Sequence, residues 1–95
     1  MKYFISTKFV REHGDAIALG GQFFNYLTYC GMEHVQFCKY LGYVSLDVYC
    51  DTLEEAEEIE KISRDFLMRG WQSDIEDFSD SKPSFWLVRF KYYFA

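Results

Sequence analysis

The sequence predicts a mixed α+β domain built around one strongly amphipathic helix, and three observations lead to that class. Apolar side chains recur every three or four positions over residues 51–70, whereas Tyr43–Cys50 alternates apolar and polar side chains. Two extended, ring-rich runs near the C-terminus are separated by the turn sequence SDSKP. The first period indicates a helix, and the alternation indicates a strand with one buried face. The 95 residues, 49% of them hydrophobic, are expected to form a single domain spanning residues 1–95.

A strand is predicted at the N-terminus, because residues 2–10 are rich in the aromatic and β-branched side chains that favour extended backbone. Residues 11–15 have the sequence REHGD and are predicted to form the turn that follows. In that turn His13 lies beside Glu12 and Asp15, a composition that would suit a general base oriented by a carboxylate. A solvated turn histidine is the favoured interpretation, because no nucleophile or phosphate-binding loop accompanies it.

Residues 16–42 allow two interpretations. In the preferred one, Asp15 caps a helix that runs to about Cys30 and ends at Gly31, and residues 33–40 then form a strand. This interpretation is preferred because a glycine inside a helix costs ~1 kcal/mol relative to alanine, whereas it is favourable as a helix stop.

In the alternative, the first strand turns into a short second strand over residues 16–19. One helix then runs from about residue 21 to residue 41, across the glycine. The periodic spacing of Phe23, Leu27 and Cys38 is compatible with this second arrangement as well.

The helix over residues 51–70 is predicted with both of its ends. Asp51 or Thr52 is the expected N-cap, with a glutamate three residues later to complete a capping box. Acidic side chains crowd the first turns, where the helix dipole favours negative charge. Gly70 is the expected left-handed stop.

A hairpin is predicted at the C-terminus, with Trp71–Phe78 paired to a strand that starts at Ser84. In that pairing Arg89 and Lys91 could face Asp74 and Glu76 across the ladder. The predicted order is strand, helix, strand, strand, helix, strand. This is the ferredoxin-like βαββαβ layout, here with an extra C-terminal antiparallel strand.

The cysteines indicate a reducing compartment, because they are three in number and form no CxxC pair. We therefore expect a cytoplasmic protein, and one without a membrane span because no apolar run approaches 18 residues. Cys30, His34 and Cys38 recur every four residues, which on a continuous helix would place two thiols and an imidazole on one side. Core packing of the cysteines is the favoured interpretation. We expect no metal, no other cofactor and no catalytic residue.

Residues 42–48, GYVSLDV, lie where an RNA-recognition motif carries its third-strand signature. The basic residue, the small residue and two aromatic residues of that signature are missing, because Leu41, Val44, Ser45 and Val48 occupy their positions. Base stacking also needs positively charged surroundings. Direct binding of nucleic acid is therefore disfavoured, and the tyrosines are expected in the core or at a protein interface.

Acidic residues are concentrated in one block. Residues 51–80 contain eleven acidic and three basic residues, a charge of −8, whereas the whole chain carries −5. Such a field repels phosphates and attracts basic surfaces. A solvated helix face would explain the helical part, but the block continues beyond the helix, which favours binding of a basic partner. The residues expected to bind it are Glu54, Glu55, Glu58, Asp65, Asp74, Glu76, Asp77 and Asp80.

In size, acidity and charge layout, residues 51–80 resemble the class of small phage-encoded inhibitors that mimic DNA to block host restriction or CRISPR nucleases. The resemblance implies a non-enzymatic inhibitor in the host cytoplasm that occupies the basic nucleic-acid-binding site of a nuclease or another DNA-binding protein. A homodimer is also expected, in which the aromatic C-terminal edge strand pairs with its twin.

A second hypothesis uses a different surface. It is a ferredoxin-like regulatory or assembly module that binds a protein partner through its aromatic residues. Charge reversal in the acidic block would abolish binding under the first hypothesis and leave it almost unchanged under the second.

Overall fold

The computed structural model describes residues 7–67 and 70–94, with side chains of the first helix described from residue 14 onward. In these ranges the chain is α+β, with two helices and one four-stranded antiparallel sheet. The elements in chain order are α1 (Thr7–Tyr29), β1 (Val35–Tyr40), β2 (Tyr43–Cys50), α2 (Leu53–Phe66), β3 (Trp71–Phe78) and β4 (Phe85–Tyr93).

The sheet has the strand order β1-β2-β4-β3, and every neighbouring pair is antiparallel. Strands β2 and β3 are therefore parallel to each other, are joined by α2, and have β4 between them, which is a split β-α-β unit. The predicted C-terminal hairpin is confirmed, because β3 pairs with β4 from Trp71↔Tyr92 to Phe78↔Phe85.

The C-terminal strand β4 is central, and the prediction that it forms an added edge strand is wrong. It pairs with β2 on one side and β3 on the other, so it cannot pair with its twin in a homodimer. Val88 and Phe90 are buried towards the helices, and Leu87 is buried on the other face. A strand buried on both faces keeps its backbone N–H and C=O groups satisfied only with a neighbour on each side.

The N-terminal strand prediction is wrong where the structure describes it. Residues 7–10 belong to α1, and residues 2–6 lie outside the described residues. The predicted turn at residues 11–15 also lies inside α1. Local β preference is a weak signal compared with burial along a helix, and α1 buries Phe23 and Leu27 four residues apart on its inner face.

Helix α1 ends as the preferred interpretation predicts, although it begins well before the predicted cap. Gly31 has a φ of +93°. Its N–H donates to the Thr28 carbonyl and the Met32 N–H donates to the Leu27 carbonyl, both at 3.1 Å. These two bonds form a Schellman motif, which satisfies carbonyls of the last turn. The alternative interpretation is wrong in both parts, because its short strand lies inside α1 and its helix would cross this stop.

Helix α2 begins where it is predicted to begin and ends earlier. Thr52 is the N-cap, and its hydroxyl oxygen accepts a hydrogen bond from the Glu55 N–H at 3.1 Å. The helix ends at Phe66 and not at Gly70. Gly70 keeps the positive φ of +105° expected of a stop, but a Cβ there would also lie 2.9 Å from the Tyr92 ring. Glycine is therefore favoured at position 70 for two reasons, namely the positive φ of the turn into β3 and the close approach of the Tyr92 ring.

Both helices pack on the same face of the sheet. Phe23 of α1 is fully buried, and its ring centroid lies 5.1 Å from that of Phe66 on α2 and 5.5 Å from that of Phe90 on β4. One side chain thus joins both helices to the sheet. The other buried members of this core are Leu27, Leu46, Val48, Cys50, Ala56, Ile59 and Val88.

A glycine allows α1 to lie against the edge of this core. A Cβ on Gly20 would come within 2.7 Å of the Trp71 ring and 2.8 Å of the Phe37 ring. The Trp71 ring is held in place, because its Nε1 donates a hydrogen bond to the Ala16 carbonyl at 3.0 Å. A methyl group at this point would therefore displace packed rings.

Alanine substitutions at the adjacent glycines Gly20 and Gly21 are expected to change the stability of the fold by different amounts. Both Gly20→Ala and Gly21→Ala gain up to ~1 kcal/mol of helix propensity, but only Gly20→Ala over-packs the core, which costs about 1–3 kcal/mol. At Gly21 a Cβ meets nothing within 4 Å. Urea unfolding should therefore show the Gly21→Ala protein to be the more stable of the two. Equal gains in both variants would contradict the contact between α1 and Trp71.

Candidate functional site

The eight acidic residues predicted to bind a partner do not form one surface. The four on α2 lie on the helix side of the sheet. Asp74 and Glu76 lie on the opposite face, because alternate residues of a strand point to opposite faces. Asp77 returns to the helix side, and Asp80 lies in the turn after β3. The four on α2 are Glu54, Glu55, Glu58 and Asp65.

Two acidic residues of the block, Asp77 and Glu60, accept hydrogen bonds that stabilise local structure. The Asp77 carboxylate accepts a hydrogen bond from the Ser79 backbone N–H at 2.8 Å. Hydrogen bonds from the Ser79 side chain and backbone lower the pKa of Asp77 below its ordinary value. Glu60 accepts a hydrogen bond from the Ser73 hydroxyl at 3.1 Å, which ties α2 to β3. Part of the negative charge therefore stabilises the turn and the edge of the sheet.

The open sheet face is the face opposite the helices, and no described element packs on it. Its residues are defined by the strand register and the alternation of each strand. They are Gln36, Cys38 and Tyr40 of β1, Tyr43, Ser45, Asp47 and Tyr49 of β2, Gln72, Asp74, Glu76 and Phe78 of β3, and Phe85, Leu87, Arg89, Lys91 and Tyr93 of β4.

The centre of the open sheet face is a buried polar network. Asp47 is only 6% exposed, and one carboxylate oxygen accepts from the Ser45 hydroxyl at 2.7 Å and from Arg89 Nε at 3.1 Å. Arg89 Nη1 also lies 3.7 Å from a Glu76 carboxylate oxygen. The hydrogen bond to Asp47 raises the pKa of Arg89. Among the described residues, no buried side-chain nitrogen or oxygen lacks a hydrogen-bond partner, so the network stabilises a fixed surface.

Tyrosine rings form a patch at one end of the open sheet face. The Tyr40 and Tyr43 rings stack with centroids 4.9 Å apart, and Tyr43 lies 5.4 Å from Tyr93. Lys91 Nζ lies 5.3 Å from the centroid of the Tyr43 ring. Tyr40 and Tyr93 are each 47% exposed. Tyrosine offers a large rigid apolar area with a polar tip, which suits a protein interface.

A second group of rings lies at the other end of the same face. The Tyr49 and Phe85 centroids are 5.5 Å apart, and Phe85 stacks on Phe78 at 4.8 Å with an interplanar angle of 16°. The open sheet face therefore has an aromatic patch at each end and a charged network between them. Its rings are braced by their neighbours, which reduces the side-chain entropy lost when a partner binds.

Sequence reasoning assigned no role to Asp47 and only partly placed the charges around it. The register places Arg89 between Asp47 and Asp74, whereas Lys91 lies between Ser45 and Gln72 and does not face an acidic residue. The sequence did contain one signal, which is an aspartate within the strictly alternating strand Tyr43–Cys50. It identified the face of Asp47, but the partner depended on which strand would lie beside β2.

The cysteines do not converge on a metal site. Cys30 is exposed just after α1, Cys38 is half-buried on β1, and only Cys50 is in the core, so the expectation of core packing is wrong for Cys30. The Schellman stop of α1 lies between Cys30 and His34, so these residues share no helix. Within residues 7–67 and 70–94, no group of three or more His, Cys, Asp or Glu side chains could hold a metal ion.

The remaining predictions about sites concern α1. His13 lies inside this helix and not in a turn, and its side chain is outside the described part of the structure.

Among the helices that the structure describes, none combines the length and apolarity needed to cross a membrane.

Comparisons with known proteins found no match: no family model, no curated protein and no solved structure is significantly similar to this chain.

Removal of the buried carboxylate is expected to cost much more stability than removal of the exposed one. Asp47→Asn weakens the charge-assisted bond to Arg89 inside the network, and we expect a loss of about 1–3 kcal/mol in the free energy of unfolding. Glu76→Gln removes a longer, more exposed contact, and we expect a loss below ~1 kcal/mol. Urea unfolding of both variants at pH 7 measures the difference. Equal losses would contradict the central position of Asp47.

The buried thiol of Cys50 and the exposed thiol of Cys30 are expected to react at different rates. Burial raises the pKa of the Cys50 thiol to about 12, and the nearby Glu55 adds to this effect. A buried neutral thiol is a poor nucleophile. In single-thiol variants, Cys50 should react with an aromatic disulfide reagent at pH 8 only after unfolding, whereas the exposed Cys30 should react at once. Rapid labelling of folded Cys50 would contradict its place in the core.

Proposed function

We propose that this chain is a non-enzymatic protein-binding module that docks a basic partner protein on its open sheet face. The observation that carries this proposal is the arrangement of that face, with an aromatic patch at each end and, between them, the buried Asp47 paired with the half-buried Arg89. The few residues that dominate the energy of typical interfaces are enriched in tyrosine, tryptophan and arginine, and the contacts around them exclude water.

The size of the face supports a docking role. Four strands spaced about 4.8 Å apart, with about eight residues each at 3.3 Å, span roughly 500 Å². A contact over that area would bury roughly 1,000 Å² on the two partners together. This value is near the lower limit for a specific interface and suits a reversible regulatory complex.

The charge of the face supports a basic partner. Asp47, Asp74 and Glu76 outnumber Arg89 and Lys91, so the face carries a net charge of −1. It lies on a chain whose net charge is −5. A basic protein would be attracted by the whole molecule and held by the rings, whereas nucleic acid would be repelled.

The acidic surface of α2 supports a second candidate function. Glu54, Glu58 and Asp65 are exposed on α2, away from the open sheet face. In this candidate, α2 occupies the basic nucleic-acid-binding site of a nuclease or another DNA-binding protein, as expected of a DNA mimic. The contribution of Asp74 and Glu76 would then be small, because they lie on the opposite face of the sheet.

We propose further that the fold is a variant of the ferredoxin-like layout. The split unit formed by β2, α2 and β3, with β4 between the two parallel strands, supports this assignment. In this variant the fourth strand of the sheet follows the unit in the chain, at the C-terminus.

Two double variants are expected to distinguish the two candidate functions. Tyr40→Ser/Tyr93→Ser removes exposed rings from the open sheet face and leaves the net charge unchanged. Glu54→Lys/Glu58→Lys reverses charge on α2 and leaves the rings unchanged. When immobilised protein is used to capture partners from a bacterial lysate, the tyrosine variant should lose the specific partner and the α2 variant should retain it.

The opposite result would overturn docking on the open sheet face and favour the DNA mimic. Thermal unfolding of each variant serves as the control for folding. The salt dependence adds a second criterion, because a contact made mainly by α2 carboxylates should weaken steeply between 50 and 500 mM salt, unlike one made by rings.

A further inference from the structure

A groove of about 610 Å³ opens at one end of the sheet, where β1 and β4 begin and β2 ends. Its volume lies within the range of about 300–1,000 Å³ that is usual for ligand sites. It adjoins the aromatic patch that contains Tyr49 and Phe85, because both residues line it. The other lining side chains that carry relevant chemistry are Glu33, His34 and Asp51.

Backbone pairing brings two acidic residues, Glu33 and Asp51, to this groove. The Tyr49 N–H donates to the His34 carbonyl at 2.9 Å, which extends the pairing of β1 with β2 beyond its last strand residues. Glu33 directly precedes His34, and Asp51 follows Tyr49 by two residues. Both side chains are exposed, so they are available to a ligand. The two ends of the β1–β2 hairpin therefore each place an acidic residue at one groove.

The two aromatic residues that line the groove, Tyr49 and Phe85, contact neighbouring rings. The Tyr49 and Phe85 rings are inclined at 57° to each other, and Phe85 is supported by its stacking on Phe78. Of the described residues that line the groove, none is lysine or arginine. The residues that line the groove thus include two exposed acidic residues and two half-buried aromatic residues.

We propose that this groove binds an arginine side chain of the partner protein. The inference rests on the proposed function, because the arginine belongs to the protein that docks on the open sheet face. A guanidinium group is planar, stacks on aromatic rings and donates paired hydrogen bonds to carboxylates. A lysine ammonium is compact and strongly hydrated, so it uses the rings less well, and a phosphate would be repelled by Glu33 and Asp51.

The proposal is tested on the full chain labelled with ¹⁵N, titrated with a capped five-residue peptide that carries one central arginine between glycine and serine residues. Amide shifts are expected at residues 33–36, 49–51 and 84–85. The same peptide with lysine should bind at least about fivefold more weakly, because it loses the stacking and the paired hydrogen bonds. The peptide with citrulline, which keeps the planar shape without the charge, should not bind measurably.

Charge-matched variants test the location. Glu33→Gln/Asp51→Asn should weaken binding of the arginine peptide by about tenfold, since both ion pairs are replaced by weaker hydrogen bonds to neutral amides. Glu57→Gln/Asp15→Asn removes the same charge from exposed positions on α2 and α1 and should change the affinity less than twofold. Equal weakening in both variants, or shifts centred on α2, would overturn the groove as the site.

A third variant keeps the test independent of charge. Phe85→Leu retains an apolar side chain and removes the ring, so it should weaken the arginine peptide severalfold and bring its affinity close to that of the lysine peptide. If the affinity for arginine were unchanged in this variant, the stacking contact would be refuted. Far-ultraviolet circular dichroism of each variant checks that the sheet is retained.

The two proposals fail separately. A chain that loses its partner in the tyrosine variant and ignores the arginine peptide would overturn the groove assignment alone. A chain that binds the arginine peptide in the groove and keeps its partner without Tyr40 and Tyr93 would overturn docking on the open sheet face alone.

Discussion

The contact of Phe23 with Phe66 and Phe90 determines how the rest of the molecule is arranged. This fully buried ring joins α1, α2 and β4, and so places both helices on one face of the sheet. The residues on the opposite face therefore cannot use the described helices for burial. They depend on one another, which accounts for the Asp47–Arg89 pair and the stacked rings on either side of it.

The open sheet face therefore combines two properties that a binding surface requires. Its centre is rigid, because Asp47 is held by Ser45 and Arg89 in a nearly solvent-free position. One end presents exposed aromatic area, because Tyr40 and Tyr93 remain half exposed. A pre-ordered surface loses little entropy when a partner binds, so a modest contact area can still be specific. The arginine site that we propose in the adjacent groove would add a selective contact for a cationic group.

The acidic block has more than one role. The residues on α2 form an exposed acidic helix surface, Asp77 stabilises the turn after β3, and Glu76 contributes to the network around Arg89. The block is continuous in sequence because α2 and β3 are consecutive elements. In space it is divided, because successive residues of a strand point to opposite faces of the sheet. The two candidate functions differ in which part of the block meets the partner.

Local signals in the sequence determined the mixed α+β class, β2, the start of α2, the hairpin of β3 and β4, and the stop at Gly31. Each of these depends on a short-range cause, namely a period, a cap or a positive φ. The central position of β4 was decided by tertiary packing, because burial of both of its faces outweighs local preference. Local preference also did not indicate the helical start of α1, since the aromatic and β-branched side chains there favour a strand. The pairing of Asp47 with Arg89 and the groove beside Tyr49 were also beyond the sequence. They require residues more than 30 positions apart to lie on neighbouring strands, and only the strand order β1-β2-β4-β3 brings them together.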